Sequence, residues 1–396
     1  VKGMKGKLAF IHSFIYSFIL SFFLSLFSFA RAQEVGSLFS ERLNIYGYGL
    51  FDFCIASEGE FLPGLPYECR KGGSFAQVLA APFFEFLITK RAKFLLEIEL
   101  EYVPEYEIFG EIEAPKNVED IKDIEFSTKG ADKVLVEGFG EIDIAYAFFE
   151  YSFIDLLRIR LGKYINPFGL IFERRDASPS YPYLFVPMMY SKVADVRIMP
   201  YYNAGIQLRG ESAYLGYAIQ VANGRGSVGN IIDANPDKAI GVHVFGRMPD
   251  GVLEGSVIGF DFYTDKDFKD VRHNTFGGHS LLSIRNIGPG NIELWGEVAY
   301  YTTETKDKTT KKVLSWYALL SYRYFISENW SLLPYVMYDT FDLNLDEKND
   351  LISNIVFGLN VSPFSQLVLK LEFRNQRIQG EEKSRQIFGF GVAYAF

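Results

Sequence analysis

The sequence has little of what catalysis and metal binding are usually built from. Two cysteines and four histidines are spread over 396 residues. No H-E-x-x-H pair or paired-cysteine zinc spacing is present, so neither a metal centre nor a cofactor is expected. His243, His273 and His279 belong to no spaced metal motif, and His243 and His279 read as polar groups of the lumen or rim. No Ser/His/Asp or Cys/His spacing supports nucleophilic catalysis, and the chain is read as a non-enzyme. Gly224, Gly226 and Gly229 match G-x-G-x-x-G. The residues that follow contain Pro236 and no helical period, so the helix N-terminus that a dinucleotide phosphate needs is missing. Beyond residue 29 no apolar run is long enough to cross a bilayer as a helix. Basic residues are also in the minority, 40 Lys and Arg against 49 Asp and Glu, which argues against nucleic acid as a partner.

What is abundant is aromatic. There are 38 Phe and 25 Tyr, yet charged residues still make up 22% of the chain. A helical membrane protein is less charged, and a soluble domain would need a very large core for so many rings. A transmembrane β-barrel accommodates both, because each strand alternates a lipid-facing apolar residue with an inward polar one.

The N-terminus fits export. Lys2, Lys5 and Lys7 precede an apolar run from Leu8 to Phe29, and Ala30-Arg31-Ala32 supplies an A-x-A cleavage site. Residues 1–32 are read as a cleavable signal peptide and 33–396 as the barrel; a retained helical anchor is the competing reading. The first 32 residues hold four cations and no acid, so the remainder carries 36 basic against 49 acidic residues, a net of −13. Cys54 and Cys69 lie close in sequence within an exported chain and are candidates for a disulfide, with two free thiols or a half-built metal site as the alternatives.

A period of two runs through the chain. Phe94, Leu96, Ile98 and Leu100 alternate with Glu97, Glu99 and Glu101, an arrangement that a strand sorts onto two faces and a helix would scatter. Glu141 and Asp143 repeat it, and Lys370 and Arg374 have inward parity on the segment 367–374. About sixteen such strands can be drawn, an even number, separated alternately by long and short connections. The long ones are expected at 54–74, 103–138, 165–202, 223–238, 264–274, 302–312, 340–351 and 376–385. Tight turns on one side and long loops on the other mark an antiparallel up-and-down barrel of the outer membrane. Phe388, Phe390, Val392, Tyr394 and Phe396 alternate to the end of the sequence. Such a strand is expected to pair with residues 45–53 and close the ring. Trp295, Trp316 and Trp330 are candidates for interfacial aromatic girdles. The acidic segment 105–132 reads as a solvated loop.

One stretch carries a more specific pattern. Arg158 and Arg160 lead into Gly162-Lys163, then Pro167-Phe168-Gly169, then Glu173-Arg174-Arg175-Asp176. This resembles bacterial outer-membrane porins related to the phosphate-selective (O/P-type) family. In those proteins a strand ends in G-[KQ]-x-x-x-P-F-G and enters a long loop. The resemblance implies a homotrimer of sixteen-stranded pores in outer-membrane lipid and lipopolysaccharide, with the third long loop, here 165–202, folded inward as a constriction.

That loop also carries Lys192 and Arg197, and Arg209 has inward parity on its strand. The expected arrangement is an acidic sector facing a basic one, through which small hydrophilic solutes and ions diffuse. The alternative is that these charges only wet and brace the wall. An anion-selective channel of the phosphate type is the second functional reading, and a barrel without transport (an enzyme, adhesin or anchor) is the third. Glutamate rows and a net of −13 count against phosphate.

Overall fold

The computed structural model describes residues 42–57, 69, 73–102, 133–136, 140–172, 178–194, 196–225, 236–267, 269–305 and 309–396. The expected signal peptide, the acidic 105–132 segment and Glu173, Arg174, Arg175 and Asp176 lie outside the described residues, as does the side chain of Glu141.

In chain order the strands are β1 (Leu43–Ala56), β2 (Ser74–Leu87), β3 (Ala92–Tyr102), β4 (Lys133–Val136), β5 (Gly140–Ile154), β6 (Leu157–Ile165), β7 (Tyr202–Glu211) and β8 (Leu215–Asn223). They continue as β9 (Lys238–Arg247), β10 (Val257–Lys266), β11 (Arg272–Ile287), β12 (Gly290–Glu304) and β13 (Thr309–Phe325). The last four are β14 (Ser331–Asp342), β15 (Leu351–Phe364), β16 (Leu367–Ile378) and β17 (Arg385–Ala395). All pair antiparallel with their neighbours, and sixteen of them form a closed up-and-down barrel. The four-residue β4, which the sequence pattern did not reveal, pairs with residues 140–143 of β5. Residues 141–143 also pair with β3, so β4 lies on the opposite edge of β5.

Closure is made by the first and last strands, from Tyr48↔Ala395 to Ala56↔Ile387. The main chains of Gly47 and Phe396 exchange hydrogen bonds of 3.0 and 2.9 Å at the seam. This pairing leaves neither the first nor the last strand with a free edge over residues 48–56 and 387–395.

Side chains obey the alternation. Phe94, Leu100, Ile206, Phe260, Phe357 and Phe373 are exposed on the outer surface, and their strand neighbours point inward. An apolar belt of this kind is stable against lipid and not against water.

Polar turn residues close the tight end. Thr89 Oγ1 accepts the N–H groups of Arg91 and Ala92 at 3.1 and 3.0 Å. Ser212 Oγ likewise accepts those of Tyr214 and Leu215.

Two expectations need correction. The loops expected at 264–274 and 302–312 are short, because their strands keep pairing out to Lys266↔Arg272 and Glu304↔Thr309. Length therefore does not alternate strictly around the barrel. Trp295 is not a girdle residue. It is 3% exposed, has inward parity beside Leu319, and its indole N–H donates to Glu293. Trp316 and Trp330 are exposed.

Candidate constriction inside the barrel

A loop laid inside a barrel brings main-chain groups that no sheet satisfies, and burying them unpaired is costly. The segment between β6 and β7 is such a loop. It contains two short 3-10 turns, Ser178–Ser180 and Met188–Tyr190. It also contains a tight reversal in which Val193 and Val196 exchange hydrogen bonds of 2.9 Å.

Its apolar side chains face the wall. Phe168, Phe172, Met188, Met189 and Ile198 are essentially buried and form one cluster with Trp295, Tyr317, Met337 and Val356 of the inner face. Burial of each such side chain is worth about 1.5–3 kcal/mol, against about 1–2 kcal/mol for fixing each residue's backbone. Apolar packing therefore offsets the ordering cost only if the main chain is also satisfied.

The wall satisfies it with charged and amide side chains. Glu297 accepts the Leu170 N–H at 3.0 Å and the hydroxyls of Tyr190 and Tyr317. Burial, and then Glu297 itself, push the Tyr190 hydroxyl well above its ordinary pKa, so it stays a donor. Glu372 accepts from Leu184 N and Phe185 N at 2.8 and 3.4 Å, and Asp339 from Met188 N at 3.1 Å.

Donors meet the carbonyls in the same way. Lys370 Nζ donates to the carbonyls of Tyr181 and Tyr183 at 3.0 and 2.9 Å. Arg374 donates to Phe185 O at 2.8 Å, and Asn360 to Pro182 O at 2.7 Å. Lys370 and Arg374, expected as lumenal wall charges, are thus 0% exposed. They hold the loop and face no solvent.

The Pro167-Phe168-Gly169 motif is part of this anchorage. The ring of Phe168 lies over Gly277 of β11, where a Cβ would be 2.4 Å from it. Gly169 has φ +68°, and a Cβ there would lie 2.1 Å from Glu297 Oε2. Both the conformation and the space require glycine.

Arg225, passed over in the sequence as part of a glycine-rich loop, is the clasp at the other end. It donates to Arg197 O and Ile198 O at 2.6 Å and pairs with Asp265 at 3.1 Å. Nothing in its local sequence marks it; only the register of β10 places Asp265 beneath it.

The remaining wall, β2 to β9, carries the expected charges differently. Among the described residues, several acids and bases there are neighbours. Arg160 is bound to Glu150 at 2.9 Å and lies 4.0 Å over the Phe148 ring. Lys163 reaches Asp143 at 3.4 Å. Arg158, close to the 155–156 turn, is 3.8 Å from Glu211 and pairs in register with Arg209. Glu97 is buried, whereas Glu99 and Glu101 keep partial exposure; Tyr202 donates to Glu99 at 3.4 Å. On the loop, Lys192 and Arg197 are exposed, the latter 4.7 Å over the Tyr201 ring.

Cys54 and Cys69 form a disulfide with Cα atoms 5.3 Å apart. They are buried with Leu184 and Phe185 of the loop.

The sequence matches no family model and none of the curated proteins. Solved structures do share the fold. An OmpF of Salmonella typhi in complex with daunomycin has TM-score 0.55 at 12% identity, covering 89% of this chain and 97% of that one. The outer membrane channel DcaP of Acinetobacter baumannii gives 0.54 at 11%, with 89% and 97% covered. An anion-selective porin from Comamonas acidovorans gives 0.54 at 10%, with 89% and 99% covered. At such identity the likeness establishes architecture: the chain is a sixteen-stranded β-barrel of the outer-membrane type.

Proposed function

We propose that the barrel is a porin, an aqueous channel through which small hydrophilic solutes and ions diffuse passively, narrowed by the loop between β6 and β7. One contrast carries the reading. The inward charges Asp339, Lys370, Glu372 and Arg374 are sealed under the loop, whereas several on β3 to β9 keep partial exposure. Lys93, Arg158 and Arg247 keep 34%, 26% and 35% side-chain exposure, against 0% for Arg374. The free passage is then a crescent beside the loop, with Glu99 and Glu101 toward the long-loop end of its wall and Arg158 and Arg209 toward the tight-turn end. The fold shared with an outer membrane channel and an anion-selective porin supports the same reading. A homotrimer in lipopolysaccharide-containing membrane is part of the proposal; the mass of the detergent-solubilised barrel tests that part.

Purified protein inserted into planar bilayers should give stepwise ionic conductance. Silence from a folded, heat-modifiable barrel would overturn the channel. Exposed Lys192 and Arg197 favour a second reading, a preference for anions. Reversal potentials under a salt gradient, compared for wild type, Lys192→Ala/Arg197→Ala and Arg174→Ala/Arg175→Ala, distinguish that preference from general diffusion.

A further inference from the structure

Three inward side chains on adjacent strands converge on the inner wall. His243 of β9 stands directly opposite Asp261 of β10 in the ladder. His279 of β11 reaches the same carboxylate diagonally. The Nδ1 atoms of His243 and His279 lie 2.5 and 2.7 Å from separate oxygens of Asp261. The two rings are stacked, with centroids 5.1 Å apart and planes 14° from parallel. The three potential ligand atoms lie within 4.8 Å of one another.

We propose that His243, Asp261 and His279 bind a divalent first-row transition ion such as zinc. Two imidazoles and one carboxylate form a donor set that such ions accept, leaving further positions open for water or an anion. Metal–nitrogen and metal–oxygen bonds of about 2.0–2.2 Å need donor atoms about 3 Å apart. The two ring–carboxylate contacts would have to widen by less than about 1 Å, and the widest donor spacing, within 4.8 Å, to close toward the same value. Each neutral ring need only carry its proton on Nε2, which frees the Nδ1 lone pair for the metal.

The surroundings suit a cation. Glu297 is the ladder partner of His279, and its described hydrogen bonds come from the Leu170 N–H and two tyrosine hydroxyls. Neither it nor Asp261 has a lysine or arginine among its described hydrogen-bond partners, so the local field is negative.

The site is also built for its rings. Gly259 lies under His279, where a Cβ would be 2.2 Å from Nε2. His279 and Asp261 are 1% exposed at the side chain, and His243 is 9% exposed and forms the entry. Sequence spacing gave no warning, because a strand ladder brings residues together across 18 positions with no local motif.

Zinc chloride titrated calorimetrically into tag-free, EDTA-stripped barrel in detergent tests the site. Wild type should bind one ion per chain with a saturable isotherm. Outer-shell changes alone cost 10–100-fold in affinity, so His243→Gln and His279→Gln should weaken binding by more than about tenfold. His273→Gln should leave it unchanged, since His273 lies apart, bonded to Tyr301. Absence of saturable binding to wild type, or equal affinity in His243→Gln and His279→Gln, overturns the proposal. Should a variant fail to fold, zinc-edge X-ray absorption on loaded wild type decides it: a shell lacking imidazole nitrogen refutes the site.

Discussion

Glu372 and Arg374, two residues apart on β16, hold opposite ends of one loop residue. Glu372 accepts the N–H of Phe185 while Arg374 donates to its carbonyl, and the two are ion-paired at 2.9 Å. Removing one partner of a buried pair typically costs about 3–5 kcal/mol, because the other charge is left unpaired. Arg374→Met should therefore free the loop while leaving the sixteen-strand ladder intact. Trypsin cleavage at Lys192 and Arg197 should accelerate at least tenfold, and unit conductance should rise. An unchanged cleavage rate would show that Arg374 does not hold the loop.

Gly169→Ala tests the motif at its tightest point. A left-handed backbone and a 2.1 Å approach to Glu297 predict a loss on the order of 1–3 kcal/mol, read as an earlier midpoint in heat-modifiable gel migration. Gly278→Ala, whose Cβ would meet nothing nearer than 3.6 Å, should stay within about 0.5 kcal/mol.

Cys54→Ser/Cys69→Ser should lower unfolding stability by about 3 kcal/mol, the loop-closure value for a loop of this length. Denaturant midpoints with and without reductant measure it: reductant should shift the wild type and leave the double variant still.

Charge on the crescent wall should set ion preference. Glu99→Gln/Glu101→Gln should move the reversal potential toward anions, and Arg158→Gln/Arg209→Gln toward cations. Both shifts should fade in 1 M salt, where screening acts over about 3 Å.

The barrel was legible because its signals repeat. Alternation at 94–101 and 367–374, short connections at 89–90 and 210–212, and the alternating strand that ends in Phe396, expected to pair with residues 45–53, each point to one architecture. The resemblance to porins marked the loop's entry at Pro167-Phe168-Gly169. What could not be read was which inward charges meet water. Lys370 and Arg209 have the same parity, yet one is sealed under the Tyr181 and Tyr183 carbonyls and the other keeps partial exposure. That difference is made by a segment far away in sequence, and periodicity along one strand carries no trace of it. Arg225 and the His243–Asp261–His279 cluster were hidden for the same reason.

The seat of Leu184 and Phe185 has a temporal consequence. It is assembled from Cys54 of β1, Glu372 and Arg374 of β16, and Gly389 and Gly391 of β17, where any Cβ would collide with Leu184 or Phe185. The first and last strands thus build the dock for a segment from the middle of the chain. That one seat is therefore complete only when the two ends of the chain have met, whereas the anchors on β12 and β14 do not depend on the seam.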